Sequence, residues 1–395
     1  MNKKSWVQTW GQSHSALSFF YYPSCKKTYR LIVNTAVSGR KLRVSFSNAY
    51  GKNDVEIGAV TAAPCTSFGS VAGKGFTELT VNGKSSFTLR KNERLTSDPI
   101  DFSISDGEYF CISVYVTKGD LTSGNLMSNA ELITAKGNRT HDAYCANEAR
   151  PRDTVRNGAS KLLGMPFPKP IPLFDSIELL NTEGAKAIVV LGDSISQQGY
   201  WTNPFEKRLR EAFPGKYSLI NKSVMGNRLL YDCSPLFPAK GLFGKRAIQR
   251  LHSDILNYDG TEYVILCIGI NDVFQHGTIN APAFEKPDPD DVFNAICDIV
   301  EQLHARSIKA VVFNLIAFGA APDATKEKDE MRRRVNNLLA ENADLFDGFF
   351  DFNSAGVDPD NDYFTRVDYL GPDKLHPNPV GGEAFANAID IDLFK

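Results

Sequence analysis

The second half of the sequence alternates short apolar runs with longer stretches that repeat apolar residues at helical spacing. The apolar runs are KAIVVLG, YSLINKSV, EYVILCIGI, IKAVVFNLI and DGFFDF. The stretches that separate and follow them are NPFEKRLREAF, GKRAIQRLHSDIL, DDVFNAICDIVEQLHAR, DATKEKDEMRRRVNNLLAENADLF and NPVGGEAFANAI. Parallel strands need long, usually helical, crossover connections, so this order predicts an α/β domain whose parallel sheet carries helices on both faces.

The first half has a different pattern, made of short segments rich in β-branched and aromatic residues. These segments are LIVNTA (31–36), KLRVSFSN (41–48), VEIGAVTAA (55–63), SSFTLR (85–90) and EYFCISVYVT (108–117). Turn-forming clusters such as NAYGKND lie between them, which is typical of a β-sandwich. We therefore predict two domains, a β-sandwich over residues 1–182 and an α/β domain over residues 183–395.

Composition limits the partners of the chain. The formal net charge is −2, which gives no electrostatic basis for binding nucleic acid or an anionic membrane. The seven cysteines are scattered, with no CxxC pair and no spacing typical of a metal site. Such cysteine usage is typical of a reducing compartment, and the N-terminus lacks a continuous apolar signal segment, so we expect a cytoplasmic protein.

Polar motifs follow the predicted strands of the α/β half. In open α/β sheets, ligands bind beyond the carboxyl ends of the strands. The first strand ends at Gly192-Asp193-Ser194, and the second leads into Gly226. The third leads into Asn271, and Asp373 and His376 precede the last helix. We expect these segments to meet at one edge of the sheet.

Each motif has an ordinary structural explanation when it is taken alone. Asp and Ser commonly cap a helix that follows a strand, and Gly226 with the next residue could be a simple turn. Asn271 could begin a loop, and His376 could be a surface residue. Their joint occurrence at successive strand ends favours a catalytic site over four unrelated coincidences.

Together the four motifs resemble those of the SGNH (GDSL-type) hydrolase superfamily, over residues 183–395. The pattern is GDS, then a glycine, then GxND, then DxxH, and here it occurs in order as GDSIS, Gly226, GIND and DKLH. The resemblance implies a three-layer α/β/α, flavodoxin-like domain with a parallel sheet. It also implies an ester hydrolase.

The resemblance further implies a role for each matching residue. Ser194 would be the nucleophile, His376 its general base and Asp373 the group that orients the imidazole. The backbone N–H groups of Ser194 and Gly226 and the side-chain amide of Asn271 would form the oxyanion hole. Such a mechanism needs no metal ion and no organic cofactor.

The domain order gives a weaker indication of the substrate. A jelly-roll-like β-sandwich ahead of an SGNH domain is similar to the layout of bacterial carbohydrate O-acetylesterases. We therefore expect a small-molecule substrate, an acetylated oligosaccharide. Aromatic rings near the motifs could stack on sugar faces, and a histidine in the loop after the third strand could contact substrate. These candidate substrate-binding residues are Trp201, Tyr231, Phe274 and His276.

The sequence is also compatible with other functions. A broad short-chain aryl esterase or a thioesterase could use the same triad. A glycan-binding protein with a decayed hydrolase domain would use the sandwich instead. The sandwich could also be purely structural, or it could build a homo-oligomer.

Overall fold

The computed structural model describes residues 4–17, 25–71, 75–127, 130–146 and 170–395. The chain divides into two compact units, and the division falls between Ala187 and Ile188. The first unit also includes Phe213–Ile220. The domain boundary that we predict after residue 182 lies a few residues earlier and stays a prediction.

The described part of the first half consists of antiparallel strands. Its strands are β1 (Ser5–Gly11), β2 (Ser15–Ala16), β3 (Lys27–Asn34), β4 (Gly39–Ser47), β5 (Val55–Pro64), β6 (Thr77–Glu78), β7 (Phe87–Leu89), β8 (Arg94–Thr96), β9 (Ile100–Ile104), β10 (Tyr109–Lys118), β11 (Ser123–Asn125), β12 (Glu131–Lys136), β13 (Ile171–Pro172) and β14 (Phe174–Asn181). All five strand segments predicted for this half overlap observed strands.

These strands form three sheets. One sheet has the order β1-β14-β4-β8, with β9 also paired to β4, and a second has the order β12-β3-β10-β5-β6, with β7 paired to β5. A small third sheet has the order β13-β11-β2. The ring of Phe102 in the first sheet packs edge-on against Phe110 in the second, with ring centroids 5.7 Å apart. This packing of apolar sheet faces confirms the predicted sandwich.

The second half has the predicted five strands, each followed along the chain by helical structure. The strands are β15 (Lys186–Gly192), β16 (Tyr217–Asn221), β17 (Thr261–Cys267), β18 (Lys309–Phe313) and β19 (Gly348–Phe350). The helices are α1 (Ser194–Gln197), α2 (Thr202–Ala212), α3 (Ala247–Leu251, extended by a π-helical turn at His252–Leu256), α4 (Ile270–Gln275), α5 (Pro289–His304), α6 (Lys326–Glu341) and α7 (Pro379–Ala388). Short 3₁₀ turns occur at Ala283–Glu285, Ala343–Leu345, Val367–Tyr369 and Ile391–Phe394.

The sheet order is β16-β15-β17-β18-β19. The strand β15, which leads into Ser194, therefore lies between β16, which leads into Gly226, and β17, which leads into Asn271. The pairs β17–β18 and β18–β19 are parallel. The strands are nearly continuous apolar runs because a covered parallel sheet has no solvent face. The helices pack in two groups, α2 with α7, and α5 with α3 and α6. This arrangement confirms the predicted α/β domain with a parallel sheet.

Helix ends follow local sequence signals. The side chain of Asp288 accepts a hydrogen bond from the Asp290 N–H at the start of α5, and Pro289 occupies the first turn. Thr325 caps α6 in the same way, and Asn378 caps α7. The short helices α1 and α4 are not among the predicted helices, because each begins directly at a strand end and is too short to show a helical period.

A cluster of aromatic rings fills the core of the α/β domain. Phe313, at the end of β18, packs against Trp201, Phe350 and Phe352 with ring centroids 5.1–5.6 Å apart. Such rings contribute large buried apolar areas and additional edge-to-face attraction.

We expect Phe313→Ala to lower the free energy of unfolding by about 3–5 kcal/mol, because it leaves a cavity in this cluster. The measurement is urea denaturation of the full chain. Phe284→Ala is the matched control, since that ring is 83% exposed, and it should change the free energy by no more than about 0.5 kcal/mol. Similar losses in both variants would contradict this account of the core.

Candidate active site

The turn after β15 places Ser194 at the first position of α1. The side chain of Asp193 accepts a hydrogen bond from the Ile195 N–H at 3.0 Å and so caps the helix. The ordinary capping explanation of Gly-Asp-Ser is therefore correct for Asp193. It does not account for Ser194, whose hydroxyl is bonded elsewhere.

The hydroxyl of Ser194 belongs to a chain of hydrogen bonds that crosses from α1 to the segment before α7. Its Oγ lies 2.7 Å from Nε2 of His376. On the other side of the ring, Nδ1 of His376 lies 2.6 Å from Oδ2 of Asp373. The imidazole is thus held between a hydroxyl and a carboxylate, which is the arrangement that lets a histidine take a proton from serine.

Asp373 is held by the backbone of its own turn. Its Oδ1 accepts hydrogen bonds from the N–H groups of Leu375 and His376, both at 3.1 Å. Partial burial raises the pKa of Asp373, but the bonds from the His376 ring and these two N–H groups outweigh it and lower the pKa to about 2. The carboxylate is therefore charged throughout the neutral range.

The helix α7 approaches the catalytic turn closely because it carries glycines. A Cβ at Gly382 would overlap the backbone of Tyr200, which follows α1. At the other end of α7, the guanidinium of Arg208 on α2 donates to the carbonyl of Ile389 at 2.9 Å. These contacts place the DKLH segment beside Ser194, although 182 positions separate Ser194 from His376 in the chain.

The loop after β16 carries Gly226 in the left-handed region, with φ of +65°. A Cβ at this position would also overlap the ring of Phe243. Glycine is thus required here for two reasons, conformation and space. Within the part of the chain that the structure describes, no acceptor is bonded to the backbone N–H of Gly226 or of Ser194.

The segment after β17 supplies Asn271 and Asp272 from α4. Nδ2 of Asn271 donates to the carbonyl of Asn227 at 3.0 Å, so its amide lies against the Gly226 loop. The carboxylate of Asp272 accepts from the N–H groups of Leu229 and Leu230 at 2.7 and 2.9 Å. Asp272 therefore holds the same loop three and four residues after Gly226.

Burial sets the ionisation of the two aspartates behind the site. Burial raises the pKa of Asp193 to about 7, against the Ile195 N–H bond and the charge of His376, which lower it. Burial likewise raises the pKa of Asp272 to about 6, opposed by its two backbone N–H donors. The carboxylates of Asp193, Asp272 and Asp373 thus differ in pKa: it is raised in the first two and lowered in Asp373.

The structure joins the predicted triad of Ser194, His376 and Asp373 by hydrogen bonds, and it joins the predicted donor Asn271 to the loop of Gly226. It corrects two of the predicted substrate-binding residues. Trp201 is completely buried against Phe205, Phe313 and Phe352, and its Nε1 donates to Ser196 Oγ at 3.2 Å. Its ring has no free face for a sugar, so it is a core residue.

Phe274 is the second correction. It is buried, packs edge-on against Phe318 at 5.2 Å and lies under the ammonium of Lys328 at 5.3 Å. Both neighbours occupy ring surface that a sugar would need.

Tyr231 and His276 stay predictions. Tyr231 is half-buried, with the Arg228 guanidinium 5.1 Å from its ring centroid. Burial and the charge of Lys328 lower the pKa of His276, so the ring is neutral at pH 7. Its Nε2 is buried and has no hydrogen-bond partner among the described residues.

Sequence reasoning missed two glutamines that contact the site. Oε1 of Gln197 accepts from the Met225 N–H at 2.8 Å, next to Gly226. Nε2 of Gln275 donates to Oδ1 of Asn271 at 2.9 Å. Their spacing could have indicated this role, because Gln197 lies one helical turn after Ser194 and Gln275 lies one turn after Asn271, on the same face of each helix.

Comparison with known proteins places this geometry in a family. Residues 190–384 match the GDSL-like Lipase/Acylhydrolase family. Comparison with curated proteins gives no match.

Solved structures that are similar to this chain include a GDSL-like lipase from Bacteroides thetaiotaomicron, which is 16% identical with a TM-score of 0.39. They also include the acetyl xylan esterase AlAXEase, 20% identical with a TM-score of 0.36. A third is the esterase EstA from Pseudoalteromonas, inhibited by monoethylphosphonate, 18% identical with a TM-score of 0.34. They cover 53%, 51% and 51% of this chain, and 87%, 96% and 93% of their own lengths are matched.

The parallel sheet, the strand-end motifs and the hydrogen-bonded serine define the class of the second half as an acyl hydrolase domain. The family match identifies the kind of acyl hydrolase. The C-terminal half of the chain is a GDSL-type (SGNH) hydrolase domain, and the protein is a carboxylic-ester hydrolase of that group. No helix among the described residues is long and apolar enough to span a membrane.

The raised pKa of Asp193 predicts a pH dependence of stability. The folded state holds its proton up to about pH 7, whereas the unfolded chain releases it near the ordinary value of 3.8. We expect the stability of the wild type relative to Asp193→Asn to fall as pH rises from about 4 to about 7 and to level off above that. Asparagine keeps an oxygen that caps Ile195.

The measurement is urea denaturation of both proteins at several pH values. Asp344→Asn makes the same change at an exposed aspartate and is measured beside them as the control. A wild type that gains stability over Asp193→Asn as pH rises would contradict the raised pKa.

Proposed function

We propose that Ser194, His376 and Asp373 form the catalytic triad of this ester hydrolase. The observation that carries the proposal is the unbroken chain from Ser194 Oγ through the His376 ring to Asp373, with distances of 2.7 and 2.6 Å. The lowered pKa of Asp373 supports it, because a charged carboxylate holds the imidazole tautomer that accepts the serine proton at Nε2.

The proposed reaction has two halves. Ser194 Oγ attacks the ester carbonyl while its proton moves to Nε2 of His376, and that proton then leaves with the alcohol. Water attacks the resulting acyl-serine and loses a proton to Nε2 of His376, which returns that proton to Ser194 Oγ as the acid leaves. In both halves the carbonyl oxygen carries a negative charge in the tetrahedral intermediate.

We propose that three donors stabilise this oxyanion. They are the backbone N–H groups of Ser194 and Gly226, and the Nδ2 of Asn271. Removing one such donor typically raises the barrier by about 2.7–4 kcal/mol. The two unbonded N–H groups and the obligatory glycine at 226 support this assignment.

Within this reaction, we propose acetyl groups on oligosaccharides as the substrate. The support is the organisation of the chain, a sandwich followed by the hydrolase domain, which resembles carbohydrate O-acetylesterases. The nucleophile also has little free surface, since Ser194 is only 8% exposed, and limited access favours a small acyl group. A cytoplasmic location stays a prediction, as does the absence of nucleic-acid and membrane partners.

A second candidate is a short-chain esterase that prefers apolar leaving groups. The observation that favours it is a set of exposed apolar side chains on the loops that follow β16 and β17. These are Leu236, Ile279 and Phe284, which are 72%, 74% and 83% exposed. Aryl esters or thioesters would then be better substrates than sugar acetates.

Acetate release from acetylated xylo-, manno- and pectic oligosaccharides tests the substrate, with p-nitrophenyl acetate and octanoate as reference esters. We expect fast release from one sugar class, slow hydrolysis of octanoate, and loss of all activity in Ser194→Ala. The exposed Ser103→Ala is the matched control and should keep full activity.

Three other results would separate the alternatives. Serine-dependent hydrolysis of the nitrophenyl acetate alone would favour the aryl esterase. A preference for octanoate would contradict the small-acyl proposal. Glycan binding with hydrolysis unaffected by Ser194→Ala would favour a binding protein and remove the triad.

Asp373→Asn tests the role of the carboxylate. The amide keeps the shape of the side chain but favours the wrong imidazole tautomer, so we expect kcat to fall by about 10³–10⁴ at pH 7. KM for p-nitrophenyl acetate should change little. The measurement is steady-state kinetics beside thermal denaturation, and a kcat within tenfold of the wild type would remove Asp373 from the triad.

A further inference from the structure

Gln275 joins two of the three proposed oxyanion donors through a single amide. Its side chain is buried at the end of α4. Its Nε2 donates one hydrogen bond to Oδ1 of Asn271 at 2.9 Å and another to the carbonyl of Gly226 at 3.1 Å. The side chain therefore connects the segment after β17 to the loop after β16, at the residues that we propose to hold the oxyanion.

These two bonds leave only one consistent orientation for each amide. Both partners of Gln275 are acceptors, so it must present its NH₂ group to them. Asn271 must then present its oxygen to Gln275, which turns its own Nδ2 towards the carbonyl of Asn227, 3.0 Å away. A reversed Asn271 would place NH₂ against NH₂ and oxygen against a carbonyl oxygen.

The consequence concerns the second hydrogen on Nδ2 of Asn271. One hydrogen is used by the Asn227 carbonyl, and the other is left for the substrate. A reversed amide would instead present an oxygen to the developing oxyanion, which repels it. The bond to the Gly226 carbonyl also restrains the backbone of the loop that supplies another donor.

When Gln275 makes these two contacts, its side-chain oxygen is left without a hydrogen-bond partner among the described residues. This oxygen, Oε1, is buried. A buried carbonyl oxygen without a partner costs free energy, so leucine or methionine would serve better if the position only filled space. An unsatisfied group of this kind in a native structure calls for an explanation, and positioning of Asn271 supplies one.

We propose that Gln275 is a positioning residue of the oxyanion hole: it sets the orientation of the Asn271 amide and restrains the Gly226 loop, and so acts on the transition state without touching substrate. This inference rests on the proposed function of Ser194, Gly226 and Asn271.

Two variants test it on the full-length enzyme with p-nitrophenyl acetate. Gln275→Leu removes the amide, and we expect kcat to fall at least about tenfold with KM within about twofold, since the loss falls on the transition state. Gln8→Leu makes the same change at a buried glutamine of the first unit and should leave kcat within about twofold of the wild type.

Gln275→Glu keeps the shape and removes the N–H donors. Its carboxylate would turn the Asn271 amide around, whereas the protonated acid can donate to Asn271 again. We therefore expect the ratio of its kcat to the wild-type kcat to rise as the pH is lowered from about 8.5 to about 5.5, following the titration of a single carboxyl group. A purely structural role gives a ratio that does not change with pH. This measurement decides the question if Gln275→Leu fails to fold.

The Asn271→Ala background gives the final test. If Gln275 acts through Asn271, Gln275→Leu should cost no more than about threefold in that background, because the amide that it orients is gone. An equal loss in both backgrounds, or a kcat within about threefold of the wild type in both Gln275 variants, would overturn the inference. Ser194→Ala is assayed in parallel to separate the two proposals. If Ser194→Ala keeps activity, the proposed function is wrong. If Ser194→Ala is inactive while the Gln275 variants keep wild-type activity, only the role of Gln275 is wrong.

Discussion

The buried guanidinium of Arg250 holds the catalytic edge of the sheet together. It donates to the carbonyl of Gly192, the last residue of β15, at 3.1 Å, and to that of Lys222, directly after the neighbouring strand β16, at 2.6 Å. It also donates to Oδ1 of Asn227 in the loop that carries Gly226, at 3.0 Å. Asp254, one turn away on the same helical segment, balances the charge with a contact of 2.9 Å.

The contacts of Arg250 matter because these carbonyls lie where the strands end. The Gly192 carbonyl also accepts the N–H of Val224 at 3.1 Å. Buried carbonyls need donors, and one guanidinium offers five N–H groups in a fixed plane. Arg250 therefore satisfies the strand ends and fixes their spacing in the same step. Asp272 does the complementary task, because its carboxylate accepts the N–H groups of Leu229 and Leu230.

The site combines carboxylates in two electrostatic environments. Asp373 lies near the surface, with backbone and imidazole donors that lower its pKa to about 2. Asp193 lies behind the catalytic turn, where burial raises its pKa to about 7. Burial of Asp193 opposes its ionisation, yet its position provides the cap that begins α1 at Ser194. The turn thus depends on a group whose charged form the interior disfavours.

Most of the fold could be predicted from the sequence. Strand β15 matches the predicted run KAIVVLG residue for residue, because a covered parallel strand is a continuous apolar run with a glycine at its end. The helices α1 and α4 could not be predicted by period, since four and six residues are too few to show one. The prediction that Trp201 and Phe274 bind substrate was wrong for a related reason. A ring near a motif can face either the ligand or the core, and sequence spacing does not distinguish the two orientations.

The sequence by itself determined the class of fold and the order of its elements, and it singled out Ser194, Asp373 and His376, which the structure joins by hydrogen bonds. The fold class and element order follow from hydrophobic period and turn residues, which involve neighbours along the chain, whereas the three residues follow from the resemblance of the four motifs to the SGNH superfamily. Only the tertiary structure decided which groups orient the site. Gln275, Arg250 and the glycines of α7 act through contacts between strand ends and loops far apart in sequence. Their geometry arises only when the sheet order places β15 between β16 and β17.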